Sequence, residues 1–285
     1  MRLFPLRCLP ALGVAWCFCA APALADPAWS AVFPSGEDEV TSGAFVVGDG
    51  RHVMALALSG AKAEGGQLLA GERLLPAEVI LDPVSRLVVF RLSGPPGRAM
   101  PLMANISLPT GAAVKTAGGI EGKCAGWVKH VEGKILPLAL FKIDYATKVP
   151  RPGTPLMDQS GNVVAVAHEP IGDKSGYAIP ADVVKHVLDD VQRGGHVSRG
   201  WIGLSLRPDA KAPQVTRVHE GSPSALAGVK PGDVLLQVGP RRLGEYADAV
   251  NAFFFLRPGV ATNLKLKRGD QEMVVSLMPV ERRAD

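Results

Sequence analysis

Short apolar runs separated by glycine- and proline-rich turns set the pattern of the chain from residue 43 onward. Ala44-Phe45-Val46-Val47 and His52-Val53-Met54-Ala55-Leu56 flank Gly48-Asp49-Gly50, which predicts a β-hairpin. Residues 74–81 and 87–92 predict two further strands, divided by Asp82-Pro83. The stretch 93–111 is dense in proline and glycine and reads as a connection between two halves of one architecture. Residues 112–115, 124–131, 135–143 and 163–167 then predict a second set of strands. Over 181–193 the period changes: Val183, Val184, Val187, Leu188 and Val191 share one helical face, with Pro180 just outside and Gly194-Gly195 to stop the helix.

A different unit follows Gly195. Residues 202–206, 214–218, 233–238, 263–267 and 273–277 predict strands, while 222–227 and 245–256 predict a short and a longer helix. This mixture makes a small α+β module. The chain shows no internal repeat and no low-complexity segment.

Composition narrows the picture. At 285 residues, with 47% hydrophobic and 20% charged residues, the chain has enough apolar material for packed cores in two domains. Many glycines and few aromatics favour a turn-rich, mainly β fold. Residues 1–25 stand apart: Arg2 and Arg7 with no acid, a short apolar stretch from Cys8 to Pro22, then Ala23-Leu24-Ala25 before Asp26. That is the pattern of a secretory signal peptide, so the expected location is periplasmic or secreted. Its removal takes away three of the four cysteines and lowers the formal charge from +4 to +2, because Arg2 and Arg7 leave with it. Cys124 then has no disulfide partner and is expected to be a buried apolar residue. No basic run points to nucleic acid, no histidine pair has metal-ligand spacing, and no motif calls for a cofactor. His186 and His196 are expected to be exposed, at the end of a helix and in a linker.

Three stretches, in order, carry a resemblance. Asp82-Pro83-Val84-Ser85-Arg86-Leu87-Val88-Val89-Phe90-Arg91, Ser175-Gly176-Tyr177-Ala178-Ile179-Pro180-Ala181-Asp182 and Ser198-Arg199-Gly200-Trp201-Ile202-Gly203-Leu204 resemble segments of the bacterial HtrA/Deg proteins. Together with Ser42-Gly43-Ala44-Phe45, the likeness covers most of residues 41–280. It implies a trypsin-like double β-barrel over 26–197, followed by an α+β PDZ domain over 198–285.

The same resemblance places the family's catalytic positions on unsuitable residues. Its histidine falls on Leu58, its acid on Arg86 and its nucleophilic serine on Pro152, within Pro150-Arg151-Pro152-Gly153-Thr154-Pro155. A serine protease needs a hydroxyl to attack, an imidazole to take its proton and a carboxylate to orient the imidazole. Leucine, proline and arginine supply none of these. The two oxyanion-hole amides fall on Pro150 and Pro152, and proline has no N–H. The expectation is therefore a pseudoprotease. The alternative is an active endopeptidase with relocated residues drawn from His52, Thr154 and Ser160.

The PDZ-like module keeps its signature. Trp201, Ile202, Gly203 and Leu204 resemble the loop whose amides hold a peptide C-terminus, with the following strand pairing to the peptide. Ala249, Val250 and Phe253 (or Phe254) on the longer helix are candidates for the opposite wall. Ser222-Pro223-Ser224 through Gly232-Asp233 resembles a structural turn of the fold, with Asp233 bonding local amides. The implied partners are C-terminal peptides or unfolded proteins, with an active protease paralogue as a further candidate. Family members commonly form trimers through the N-terminal part of the barrel, which makes Trp29 and Phe33 candidate oligomer contacts.

Overall fold

The computed structural model describes residues 29–58, 60–94, 97–103, 108–208 and 212–281. The expected signal peptide lies outside them. The first half is built from β1 (Ser30–Ser35), β2 (Asp38–Val47), β3 (His52–Leu56), β4 (Gln67–Ala70), β5 (Glu72–Leu74), β6 (Glu78–Leu81) and β7 (Leu87–Arg91). They form one antiparallel sheet in the order β5-β4-β1-β2-β3-β7-β6. β2 changes partner at its middle: Asp38 to Gly43 pair with β1, and Ala44 to Val47 with β3.

The continuous apolar runs of β2, β3 and β7 are explained by burial of both faces. Phe45, Val47, Met54, Leu56, Leu87 and Val89 enter one core, and Ala44, Val46, Val53, Ala55, Val88 and Phe90 enter another.

The second half closes on itself. β8 (Ala113–Lys115), β9 (Glu121–Val131), β10 (Lys134–Tyr145), β11 (Pro155–Met157), β12 (Val163–Pro170) and β13 (Ser175–Pro180) form a closed barrel in the order β10-β13-β12-β11-β8-β9. Cys124 is buried inside it. Among the described residues the seven-stranded sheet of the first half has β5 and β6 as its outer strands, and this sheet and the closed barrel are the two β units expected of the first domain. Helix α1 (Ala181–Gly194) follows, ended by left-handed Gly195, whose N–H donates to Val191 O at 2.8 Å. The apolar face of α1 shares its core with β2, β3, β7 and β12.

The final unit comprises β14 (Gly200–Trp201), β15 (Leu204–Leu206), β16 (Val215–Val218), α2 (Pro223–Leu226), β17 (Val234–Val238), β18 (Arg241–Arg242), α3 (Tyr246–Phe254), β19 (Thr262–Arg268), β20 (Gln271–Leu277) and β21 (Val280–Glu281). Its sheets run β18-β17-β19-β20, β15-β16 and β14-β21. No described helix is long and apolar enough to cross a membrane.

Three expectations are corrected. Residues 74–81 do not form one strand, because Leu75-Pro76-Ala77 separates β5 from β6 and proline cannot donate to a ladder. Phe33 is fully buried and stacked on Phe90 at 5.8 Å, so it belongs to the sheet core, not to an oligomer contact; Trp29 packs half-buried against the same core. His186 is buried between Phe254 and Phe255, with ring centroids 5.5 and 5.3 Å away, because the final unit covers that face of α1.

Candidate functional site

The loop around Pro152 is fastened to the corner of β2. Gly43 N–H donates to Pro152 O at 2.7 Å, Gly153 N–H to Ala167 O at 2.8 Å, and Ala167 N–H to Thr154 O at 2.9 Å. Gly153 adopts φ +83, and a Cβ there would fall 2.3 Å from Gly43 O, so the approach tolerates no side chain. Gly43 is equally confined, since its Cβ would meet Thr154 N at 2.7 Å. Buried Ser42 donates from Oγ to Gly43 O at 2.8 Å and accepts Leu56 N–H at 3.2 Å. The end of β3 and the proline loop are therefore tied through two residues.

Arg86 approaches from the other side. It adopts φ +62. Its Nε donates to Ala57 O at 2.8 Å, and its Nη2 to Leu58 O at 3.4 Å and Ala61 O at 3.3 Å. Its side chain thus braces the backbone around Leu58, whose own side chain packs half-buried on the core. Leu58, Arg86 and Pro152 are linked through Ser42-Gly43, Leu56 and these bonds, and none carries a group that takes up a proton at neutral pH. Pro150, also without an N–H, is buried in the same loop.

Nearby titratable groups are engaged elsewhere. His52 Nδ1 lies 2.9 Å from Asp49 Oδ1, and the Arg51 N–H helps hold the Asp49 carboxyl below its usual range. Thr154 Oγ1 lies 2.9 Å from where a Gly43 Cβ would fall, and Ser160 is exposed in a turn. Burial pushes the His168 imidazole down. Burial, with Arg257, Arg199, Arg193 and Arg241 nearby, pushes His186 down to about 3.

The second candidate site is the loop from Trp201 to Leu204 that leads into β15, with α3 as the wall expected opposite it. Gly203 sits at φ +75, and a Cβ there would fall 2.1 Å from Ser222 Cβ. Ile202 O accepts Ser224 N–H at 3.0 Å and Gly203 O accepts His219 N–H at 2.9 Å, which fixes the loop from behind. The N–H groups of Ile202 and Gly203 have no acceptor among the described residues, and successive free amides make a concavity suited to an anion. Trp201 lies edge-on to His219 at 5.6 Å. β15 pairs only with β16 among the described residues, so its other edge is unpaired.

Helix α3 starts at a capping box, in which Glu245 accepts from the Asp248 N–H and Asp248 from the Glu245 N–H. Val250 and Phe253 are half-buried on one face. Ala249 is fully buried and presents no surface to a ligand. Tyr246 shares the half-exposed face four residues before Val250, and helical spacing from Val250 was the signal that could have found it. Asp233 accepts Lys230 N–H at 2.9 Å, and its bonds with Arg268 hold its carboxyl below the usual range.

Residues 200–278 match the model of the PDZ domain family. A protein of Pseudomonas fluorescens named "Probable periplasmic serine endoprotease DegP-like" is 27% identical over 243 residues, covering 75% of this chain and 51% of the relative. One of the same name from Rhizobium meliloti is 31% identical over 154 residues, covering 48% of this chain and 31% of the relative. The chain is a homologue of the HtrA/DegP-like serine endoproteases. It spans about half the length, or less, of these relatives. The HtrA-type protease AlgW with a tripeptide superposes with a TM-score of 0.66 at 19% identity, covering 91% of this chain and 95% of that one. The same protease with a decapeptide gives 0.63 at 18%, covering 91% and 97%. These likenesses establish that this HtrA homologue has the HtrA fold, mainly β, with a PDZ domain at its C-terminal side.

Proposed function

We propose that this protein is an exported HtrA-type homologue without proteolytic activity, whose PDZ groove binds the C-termini of peptides or unfolded proteins as an adaptor in envelope protein quality control. The observation that carries the first half is Pro152, with Pro150 beside it. The segment that would hold a nucleophile and the oxyanion amides is fastened to Gly43, yet offers neither a hydroxyl nor an N–H at those positions. Removing one oxyanion donor costs a factor of about 10²–10³ in rate. Here Pro150 and Pro152 would leave both donors missing, together with the nucleophile, base and acid, so nothing acts as a unit.

Relocation has little support. His52 is bonded to Asp49, and neither Thr154 nor Ser160 is hydrogen-bonded to a histidine among the described residues. Purified protein incubated with casein or an unfolded substrate should cleave no faster than its Leu58→Ala variant. Stoichiometric labelling by a fluorophosphonate probe, or activity lost on changing Thr154 or Ser160, would overturn this.

The second half rests on the free amides of Ile202 and Gly203 beside the unpaired edge of β15. An array of decapeptides with free C-terminal carboxylates should give binders that lose binding when the same peptides are C-terminally amidated. An array without binders, with the domain folded, would reduce the protein to a structural part of an assembly. The periplasmic relatives support an envelope location, and N-terminal sequencing of the secreted protein would test it.

A further inference from the structure

The barrel leaves one strand of its ladder unfinished, and a helix of the PDZ domain completes it. β10 and β9 lose register between Ile135 and Leu140, just where Ala139 is buried. The Ala139 N–H donates instead to the side-chain oxygen of Asn251, in the middle of α3. Asn251 Nδ2 in turn donates to Ala247 O at 2.6 Å. A buried backbone N–H must find an acceptor, and this one finds it in the other domain.

The same helix is held at both ends. Lys129 of β9 lies 2.9 Å from Glu245 Oε1 and 2.6 Å from Asp248 Oδ1, the two acids of the capping box. At the other end Phe254 is buried in the core that α1 and β10 share, with the Arg199 guanidinium 4.2 Å above its ring. Just beyond, Arg257 pairs with Asp189 at 3.2 Å and Asp190 at 3.1 Å, both on α1. A helix of nine residues has little stability of its own. Its positions engaged with the barrel side, Asn251 and Phe254, each lie one residue beyond Val250 and Phe253, the half-buried residues read as lining the groove.

We propose that α3 is a wall shared between the two domains: the barrel, through Lys129, Ala139 and the pocket around Phe254, holds the helix in place, so that helix and barrel open together. The link to ligand binding rests on the reading of the groove as a peptide site; the mechanical statement does not. With α3 fixed from behind, the width of the groove is set by the barrel.

Hydrogen exchange on the intact protein without peptide tests this. The α3 amides should be protected to a similar degree as those of β10. Asn251→Ala should raise exchange in α3 about tenfold, the order expected for one lost buried hydrogen bond, while β12 and β19 keep their protection. An α3 that exchanges unchanged in that variant, with β12 and β19 still protected, overturns the proposal. So does a native protein whose α3 exchanges more than about tenfold faster than β10. If Asn251→Ala does not fold, Lys129→Ala at a partly exposed pair serves instead, with a rise of about twofold to threefold expected and no rise counting against. No peptide enters the measurement, so a groove that binds nothing would leave its result standing.

Discussion

At Gly203 two constraints coincide: a left-handed backbone and a Cβ position inside the space of Ser222. Gly203→Ala must strain the backbone and displace the start of α2, at a cost of about 3 kcal/mol. Urea unfolding should register that loss, and binders found on the peptide array should no longer bind. His186 gives a pH signature. Its imidazole is held neutral in the folded protein, down to about 3, chiefly by burial. An unfolded histidine titrates near 6.5, so the stability this confers is intact above that pH. It erodes as the pH falls toward 3, by up to ~1.4 kcal/mol per pH unit, because only the unfolded chain takes up the proton. The unfolding free energy plotted from about pH 7 to about 4.5 should therefore fall more steeply on the acid side in the native protein than in His186→Gln; equal slopes would refute this. The sequence could not foretell this residue. Position 186 lies beside the apolar stripe of α1, and the rings that cover it come from another domain. Leu58, Arg86 and Pro152 are a different case, because the chemistry proposed to be missing there depends on side-chain type alone.

At the scale of elements, legibility followed burial. β3, β7 and the second half of β2 are buried on both faces, and their unbroken apolar runs announced them, whereas the polar start of β2 from Asp38 carried no such signal. β1 contains Pro34 and β4 is four residues long, so neither carried a pattern strong enough to read. The break at Pro76 was visible as a proline but was outweighed by the leucines around it. α2 was legible from its Ser-Pro start. Its cap is the Ser222 hydroxyl, which accepts from Ala225 N–H at 3.2 Å. Ser222→Ala keeps the carbon that crowds Gly203 and removes the cap. The expected loss is about 1 kcal/mol, seen as a lower urea midpoint with an unchanged slope.

For the whole molecule, the boundary between domains is less separate than the linear order implied. The PDZ domain was identifiable from its motifs, but its docking was not, because Asn251, Phe254 and Arg257 carry no motif for a barrel surface. Phe254→Ala should cost about 3–5 kcal/mol and divide thermal unfolding into two calorimetric transitions, where the native protein gives one. A single transition in that variant would mean that other contacts suffice to couple the domains.

Cys124 is the only cysteine after residue 25, and it lies in the barrel interior with Sγ 3.6 Å from Leu108 O. Burial also raises its thiol pKa, which slows its reaction further. A protein beginning after residue 25 would thus contain its own clock. A disulfide reagent such as dithionitrobenzoate can modify it only when the barrel opens, so the colour released under native conditions counts opening events one molecule at a time. Adding a groove ligand, or cutting the α3 attachments, would then be read as a change in the rate of that clock, without denaturant and without a label.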